Sequence, residues 1–236
     1  MNRRSLPVIE ELGYSRTSMG EIVLRRRRSP SVKDEFVYEI TLGGEMLMSS
    51  TVNTSERALA TLTLDRLEER KAEVLVGGLG LGYTALAALE YSNVERVDVI
   101  ELVQPVIDWH REKLFPAAAA LADDRRCRLL QGDFFELASE ETGRSYDAVL
   151  LDIDNAPDSL LHSQHGAFYE KEGLQKMSRL IKEGGVFGLW SACKPGDEFL
   201  KTLEEVFRSV NCQEIVFYNP HEGRMDSNRI TTAFRN

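Results

Sequence analysis

Through the middle of the chain, short apolar runs alternate with helix-like segments. From Glu73 onward the runs are Val74-Leu-Val76, Val97-Asp-Val-Ile100, Cys127-Arg-Leu-Leu130, Ala148-Val-Leu-Leu151 and Gly185-Val-Phe-Gly-Leu-Trp190. Residues 84–91, 105–114, 134–138 and 170–181 between them have helical character. Strands that are apolar along their length are buried on both faces, and their alternation with helices predicts βαβ units and a parallel sheet. The two ends read differently. Residues 21–25 and 35–42 are rich in β-branched and aromatic side chains, and Gly43-Gly44 joins the second run to 45–48, which is hairpin chemistry. Asn53, Thr54 or Ser55 is placed to cap a helix carrying Leu59, Leu62, Leu64 and Leu67, reaching to about residue 70. Near the C-terminus, Glu214-Ile-Val-Phe-Tyr218 and Arg229-Ile-Thr-Thr-Ala-Phe234 are separated by a polar loop too short for a crossover helix, so they must pair as a hairpin.

An α/β sheet of five parallel strands closed by a C-terminal β-hairpin is the pattern of the class I AdoMet-dependent, methyltransferase-like (Rossmann-like) fold. A small N-terminal antiparallel β unit precedes it. The expected division is residues 1–52 for the β unit and 53–236 for the sheet domain. Composition agrees with a globular chain that can bury a sizeable core: 42% hydrophobic and 28% charged over 236 residues. No apolar run approaches the ~18 residues that would span a bilayer, and the basic start Met1-Asn-Arg-Arg4 leads into Glu10-Glu11, so no secretory signal is expected. The net charge of −9 disfavours binding along a phosphate backbone. Arg25-Arg-Arg-Arg28 is expected to be a solvated strand or loop. Cys127, Cys193 and Cys212 form no CxxC pair and have no histidine at ligand spacing, which predicts reduced, mostly buried thiols in a cytoplasmic protein without a metal.

The informative stretch is Val74-Leu-Val-Gly-Gly-Leu-Gly-Leu-Gly-Tyr-Thr-Ala85, which leaves the first core strand and enters a helix through Gly78-x-Gly80-x-Gly82. Glycines let the backbone turn sharply and bring it close to a ligand. A nicotinamide fingerprint is GxGxxG, but here the third glycine comes one residue early and Tyr83 stands where the last would fall. About twenty residues on, the second strand ends in Glu101, where a carboxylate can accept from both ribose hydroxyls. The third ends in Gln131-Gly-Asp-Phe134: Asp133 can accept from an adenine amino group or cap the next helix, while Phe134 borders the ring. Three such features at successive strand tips predict a cradle for a nucleoside bearing a sulfonium, with S-adenosylmethionine or its decarboxylated form as co-substrate.

The fourth strand ends in Tyr146-Asp-Ala-Val-Leu-Leu-Asp-Ile-Asp-Asn-Ala-Pro157, placing Asp152, Asp154 and Asn155 at the same edge. A sulfonium donor is already activated, so the protein chiefly has to align an amine and keep it unprotonated, which a carboxylate can do. His162 and His165 follow in a loop near the expected substrate mouth, where a surface role is the plain reading, and Trp190 is expected in the core and pocket wall.

From roughly residue 35 to 207 the sequence resembles the spermidine synthase (polyamine aminopropyltransferase) family. The likeness rests on the small β unit, Val76-Gly-Gly-Leu-Gly-Leu-Gly82, Val99-Ile-Glu101, Gly132-Asp133, Tyr146-Asp-Ala-Val-Leu-Leu-Asp152, Ala167-Phe-Tyr169 and Leu180-Ile-Lys-Glu-Gly-Gly-Val186. The resemblance implies a homodimeric transferase in which Glu101 binds the ribose, Asp133 the adenine, and Asp152 is the catalytic acid that receives the amine's proton. Asp154 and Asn155 would contact a small acceptor, expected to be an amine. Three departures mark a divergent branch. The family's acid within the glycine loop is Leu81 here; its Asp-x-x-Asp-Pro has Asn155 in place of the second acid, with Asp154 one position earlier; and Asn53-Thr-Ser-Glu-Arg-Ala58 lacks the aromatic of the family's segment. Kinship favours aminopropyl transfer and the loss at Leu81 favours methyl transfer. A nucleoside-binding protein without catalysis is the third alternative.

Overall fold

The computed structural model describes residues 9–29, 35–68, 70–141, 143–153, 155–157, 165–220 and 222–236. Strands β1 (Ile9–Thr17), β2 (Gly20–Arg28), β3 (Phe36–Leu42) and β4 (Glu45–Ser49) form an antiparallel sheet in sequential order. The Gly43-Gly44 turn joins β3 to β4 as expected. Strand β1 was not predicted: it is an edge strand, largely exposed, whose side chains show no clean apolar alternation. It nevertheless seats this sheet on the rest of the chain. A Cβ on Gly13 would lie 2.3 Å from Nε1 of Trp109, so only glycine lets the strand approach the indole.

The arginine run is not a solvated face. On a strand, successive side chains point to opposite sides, and Arg25 and Arg27 both turn onto Glu39, which is 1% exposed, at 2.8 and 2.7 Å. Arg26, facing the other way, pairs with Glu10 at 2.7 Å and lies over the ring of Phe36.

Helix α1 (Thr54–Leu64) and a 3-10 turn lead into the large sheet. Its strands are β5 (Ala72–Gly77), β6 (Val94–Glu101), β7 (Cys127–Gln131), β8 (Tyr146–Leu151), β9 (Ile181–Ser191), β10 (Phe207–Asn219) and β11 (Arg224–Arg235). They are arranged β10-β11-β9-β8-β5-β6-β7, with β5 to β9 parallel and the terminal hairpin antiparallel. Strand β5 lies between β6 and β8, so the chain reverses its direction of travel there, and that switch is where open α/β sheets bind ligands. Both faces are packed, as the unbroken apolar runs require. Val74, Val76, Ala148 and Leu150 meet α1, α2 (Tyr83–Leu89), α3 (Gln104–Arg111) and α4 (Pro116–Asp123) on one side. Leu75, Val149 and Leu151 meet α5 (Phe134–Ser139), α6 (Gly166–Tyr169), α7 (Lys171–Ser178) and α8 (Asp197–Val206) on the other.

Helix α7 stops at Ser178, short of the expected 170–181 span, because Ile181 already belongs to β9. The cysteines are free, but the expectation of buried thiols does not hold: Cys193 is exposed and Cys127 and Cys212 are half-buried. No helix among the described residues is long and apolar enough to cross a membrane.

Candidate active site

A cavity of about 410 Å³ opens at the carboxyl ends of β5 to β9. Backbone hydrogen bonds lock the strand tips that floor it: Gly78 N–H donates to the Ile100 carbonyl at 2.9 Å, Asp152 N–H to Gly77 at 2.8 Å, and Gly132 N–H to Glu101 at 3.1 Å. Gly78 has φ +93°, and a Cβ there would sit 2.1 Å from the Asp152 carbonyl oxygen. Glycine is therefore obligatory, and its absent side chain lets the end of β8 pass against the loop. Gly80 also faces the cavity, beneath the Met48 sulfur of β4. Gly82 does not line it. As the residue before α2 it lies close to the core, where an added Cβ would stand 2.4 Å from Leu121 Cδ1 and 3.1 Å from His110 Nε2.

Glu101 accepts the Leu79 N–H at 3.0 Å on one oxygen and the Val103 N–H at 2.7 Å on the other. Burial pushes its carboxyl above the usual range, against the pull of these amides. The structure gives Asp133 the capping role: Oδ1 accepts from Phe135 N–H at 2.7 Å and Glu136 N–H at 3.4 Å. Both bonds fall on this one oxygen, and Asp133 lines the cavity. Phe134 is 1% exposed and packs under Gly77, so it is floor rather than a stacking face. The next ring, Phe135, which the sequence did not single out, stacks on His165 at 3.9 Å along the same wall.

Asp152 follows β8 and faces the cavity, its Oδ2 accepting from the Thr84 hydroxyl at 2.7 Å. Desolvation raises its carboxyl to about 6 despite that hydrogen bond. Asn155 lines the cavity while its carbonyl accepts from Ala192 N–H at 2.6 Å. Asp154 and His162 lie outside the described residues. Trp190 and the hairpin residues Phe217, Asn219, Asp226 and Asn228 complete the outer wall with Met46 and Met48 of the small sheet.

Glu56, in the first turn of α1, falls in the 53–58 stretch that departs from the family's segment, and by itself reads from sequence as an ordinary helix-start acid. Folding buries it to 9% exposure on the cavity wall, where the Ser55 hydroxyl donates to Oε2 at 2.9 Å. Burial, then repulsion from Asp152, raises its carboxyl to about 7. Among the described lining residues there are thus five carboxylates, Glu56, Glu101, Asp133, Asp152 and Asp226, and no lysine or arginine. Such a cavity suits a cation.

Strand order and strand-tip acids together define a class I AdoMet-dependent transferase-type fold. Residues 52–219 match the model of the spermine/spermidine synthase domain, and the chain belongs to that family. It is 27% identical to spermine synthase from Arabidopsis thaliana over 192 residues, 76% of this chain and 52% of that protein. It is 28% identical to putrescine N-methyltransferase 2 from Nicotiana attenuata over 160 residues, 64% of this chain and 40% of that protein. With polyamine aminopropyltransferase from Saccharolobus solfataricus the identity is 25% over 205 residues, 84% of this chain and 60% of that protein. The chain therefore spans about half the length of the relatives it matches. Its fold superimposes on a spermidine synthase solved in complex with the transition-state analogue AdoDATO, with a TM-score of 0.75 at 18% identity, covering 100% of this chain and 82% of that one.

Proposed function

We propose that this protein transfers an aminopropyl group from decarboxylated S-adenosylmethionine to a small amine. The observation that carries the reading is the cavity's charge: five lining carboxylates and no lysine or arginine among the described residues. Both substrates of this reaction are cations, and AdoMet's own carboxylate would find no counter-charge there. In this reading Glu101 accepts from the ribose hydroxyls, Asp133 from the adenine amino group, and Gly78 and Gly80 let the sulfonium lie against the loop. Asp152 accepts hydrogen bonds from the acceptor amine and takes its proton. The freed nitrogen lone pair forms a bond to the carbon on sulfur, the carbon–sulfur bond breaks with its electrons going to sulfur, and neutral methylthioadenosine leaves. A base near 6 is ionised at neutral pH yet still basic enough to hold the proton in passing. Asn155 is assigned to substrate contact, and the protein is read as a cytoplasmic homodimer, following the family resemblance.

Methyl transfer from AdoMet is the second reading, supported by the likeness to putrescine N-methyltransferase. Calorimetry with AdoMet and decarboxylated AdoMet separates the two by which binds more tightly. Asp152→Asn is expected to keep nucleoside affinity within twofold and to lower turnover with a diamine by about 100-fold or more. Unchanged turnover would remove Asp152 from its role.

A further inference from the structure

A buried carboxylate without a cationic partner is costly unless something charged arrives to meet it. Glu56 is in that position. Its carboxylate accepts from the Ser55 hydroxyl at 2.9 Å and from its own backbone amide, and among the described residues the charge that acts on it is the like charge of Asp152. The Thr84 hydroxyl sits between the two, bonded to Asp152 Oδ2 at 2.7 Å and reaching the Glu56 carbonyl at 3.3 Å, which places the start of α1 against the end of β8. The glycine loop itself brings no charge: Leu81 is fully buried and absent from the cavity wall, and its N–H is spent on the Met48 sulfur at 2.9 Å.

The direction of a bound nucleoside follows from the strand order. Asp133, Glu101, Gly78 and Asp152 stand at the tips of β7, β6, β5 and β8, which are neighbours in that sequence. At about 4.8 Å per strand they span roughly 14 Å, the length of an adenosine with a short arm on sulfur. With adenine at β7 and ribose at β6, the arm ends over β5 and β8, where Glu56 and Asp152 face the cavity. We propose that Glu56 is the counter-ion for an ammonium at the end of the donor's arm, leaving Asp152 to the acceptor amine. This makes Glu56 a donor-specificity residue and selects a sulfonium nucleoside whose arm carries an amine and no carboxylate. The inference rests on the sulfonium-nucleoside reading of the cavity.

The test uses the full chain and two ligands that share adenosine and sulfonium: decarboxylated AdoMet, and the nucleoside bearing two methyl groups on sulfur, which has no arm amine. Wild type is expected to bind the first at least tenfold more tightly. Glu56→Gln should erase that preference while changing affinity for the dimethyl nucleoside by less than twofold. Glu56→Asp, which keeps the charge one methylene back, should retain part of the preference and carries the test should the glutamine variant not fold. An unchanged preference in either variant, or an equal loss for both ligands, overturns the proposal. A wild type that binds both ligands equally overturns the role of Glu56 but leaves the nucleoside site standing, whereas one that binds neither overturns both.

Discussion

Replacing Glu56 with glutamine keeps the shape of a buried side chain and removes its charge, so the effect on stability has to vary with pH. In the unfolded chain this carboxyl titrates near its ordinary 4.5; in the folded chain it titrates near 7. Between those values the folded protein holds a proton that the unfolded chain has lost, so stability falls as pH rises through the window. The cost is absent below about 4.5 and complete above about 7. A displacement of this size corresponds to about 3 kcal/mol. Without ligand, Glu56→Gln is therefore expected to match wild type near pH 4.5 and to be more stable by about 3 kcal/mol at pH 8. For a chain of this length that is a melting temperature higher by about 6–12 °C. Thermal unfolding of both proteins at the two pH values reads it directly. Asp152, also raised, titrates in both proteins and contributes to the slope of each, but not to their difference in first order. The same offset at both pH values, or a variant less stable at pH 8, would refute the idea that Glu56 is ionised at a cost.

Gly78→Ala should be destabilising by about 3 kcal/mol or more, because it places a Cβ 2.1 Å from a carbonyl oxygen at φ +93°; urea unfolding checks it, and nucleoside binding should go with it. Converting Arg25 and Arg27 together to methionine strands the buried charge of Glu39 and is expected to cost about 3–5 kcal/mol, whereas Arg27→Met alone leaves Arg25 in place and should cost clearly less in the same assay. Asp226, held ionised by Asn219 and the Ser227 amide, faces the cavity from the hairpin. Asp226→Asn is expected to raise KM for the acceptor amine about tenfold and to leave kcat within twofold, as steady-state kinetics would show.

What could be seen in the sequence was local. The strands β5 to β9 announce themselves as unbroken apolar runs because both faces are covered, and the terminal hairpin follows from a loop too short for any other connection. Glu101, Asp133 and Asp152 were visible because each closes such a run. Strand β1 was not, since an exposed edge strand has no buried face to impose a period. Helix α8 carries a clear amphipathic period, with Phe199 and Leu203 on its buried face and acids on the other, yet it lies outside the helical segments read from the sequence. Glu56 closes no such run, and it is the packing of α1 against the end of β8 that brings it to the cavity wall. Gly82 adds a packing reason that the motif does not show, since a Cβ at its φ of +85° would run into Leu121.

The cavity draws its walls from Met19 near one end of the chain to Asn228 near the other. Those segments are far apart in the sequence and meet only in the folded chain. A ligand held there clasps the first strands to the final hairpin, and its binding energy adds to the stability of the entire molecule rather than to one lobe. Resistance to proteolysis should accordingly rise along the whole length of the chain when the donor is present.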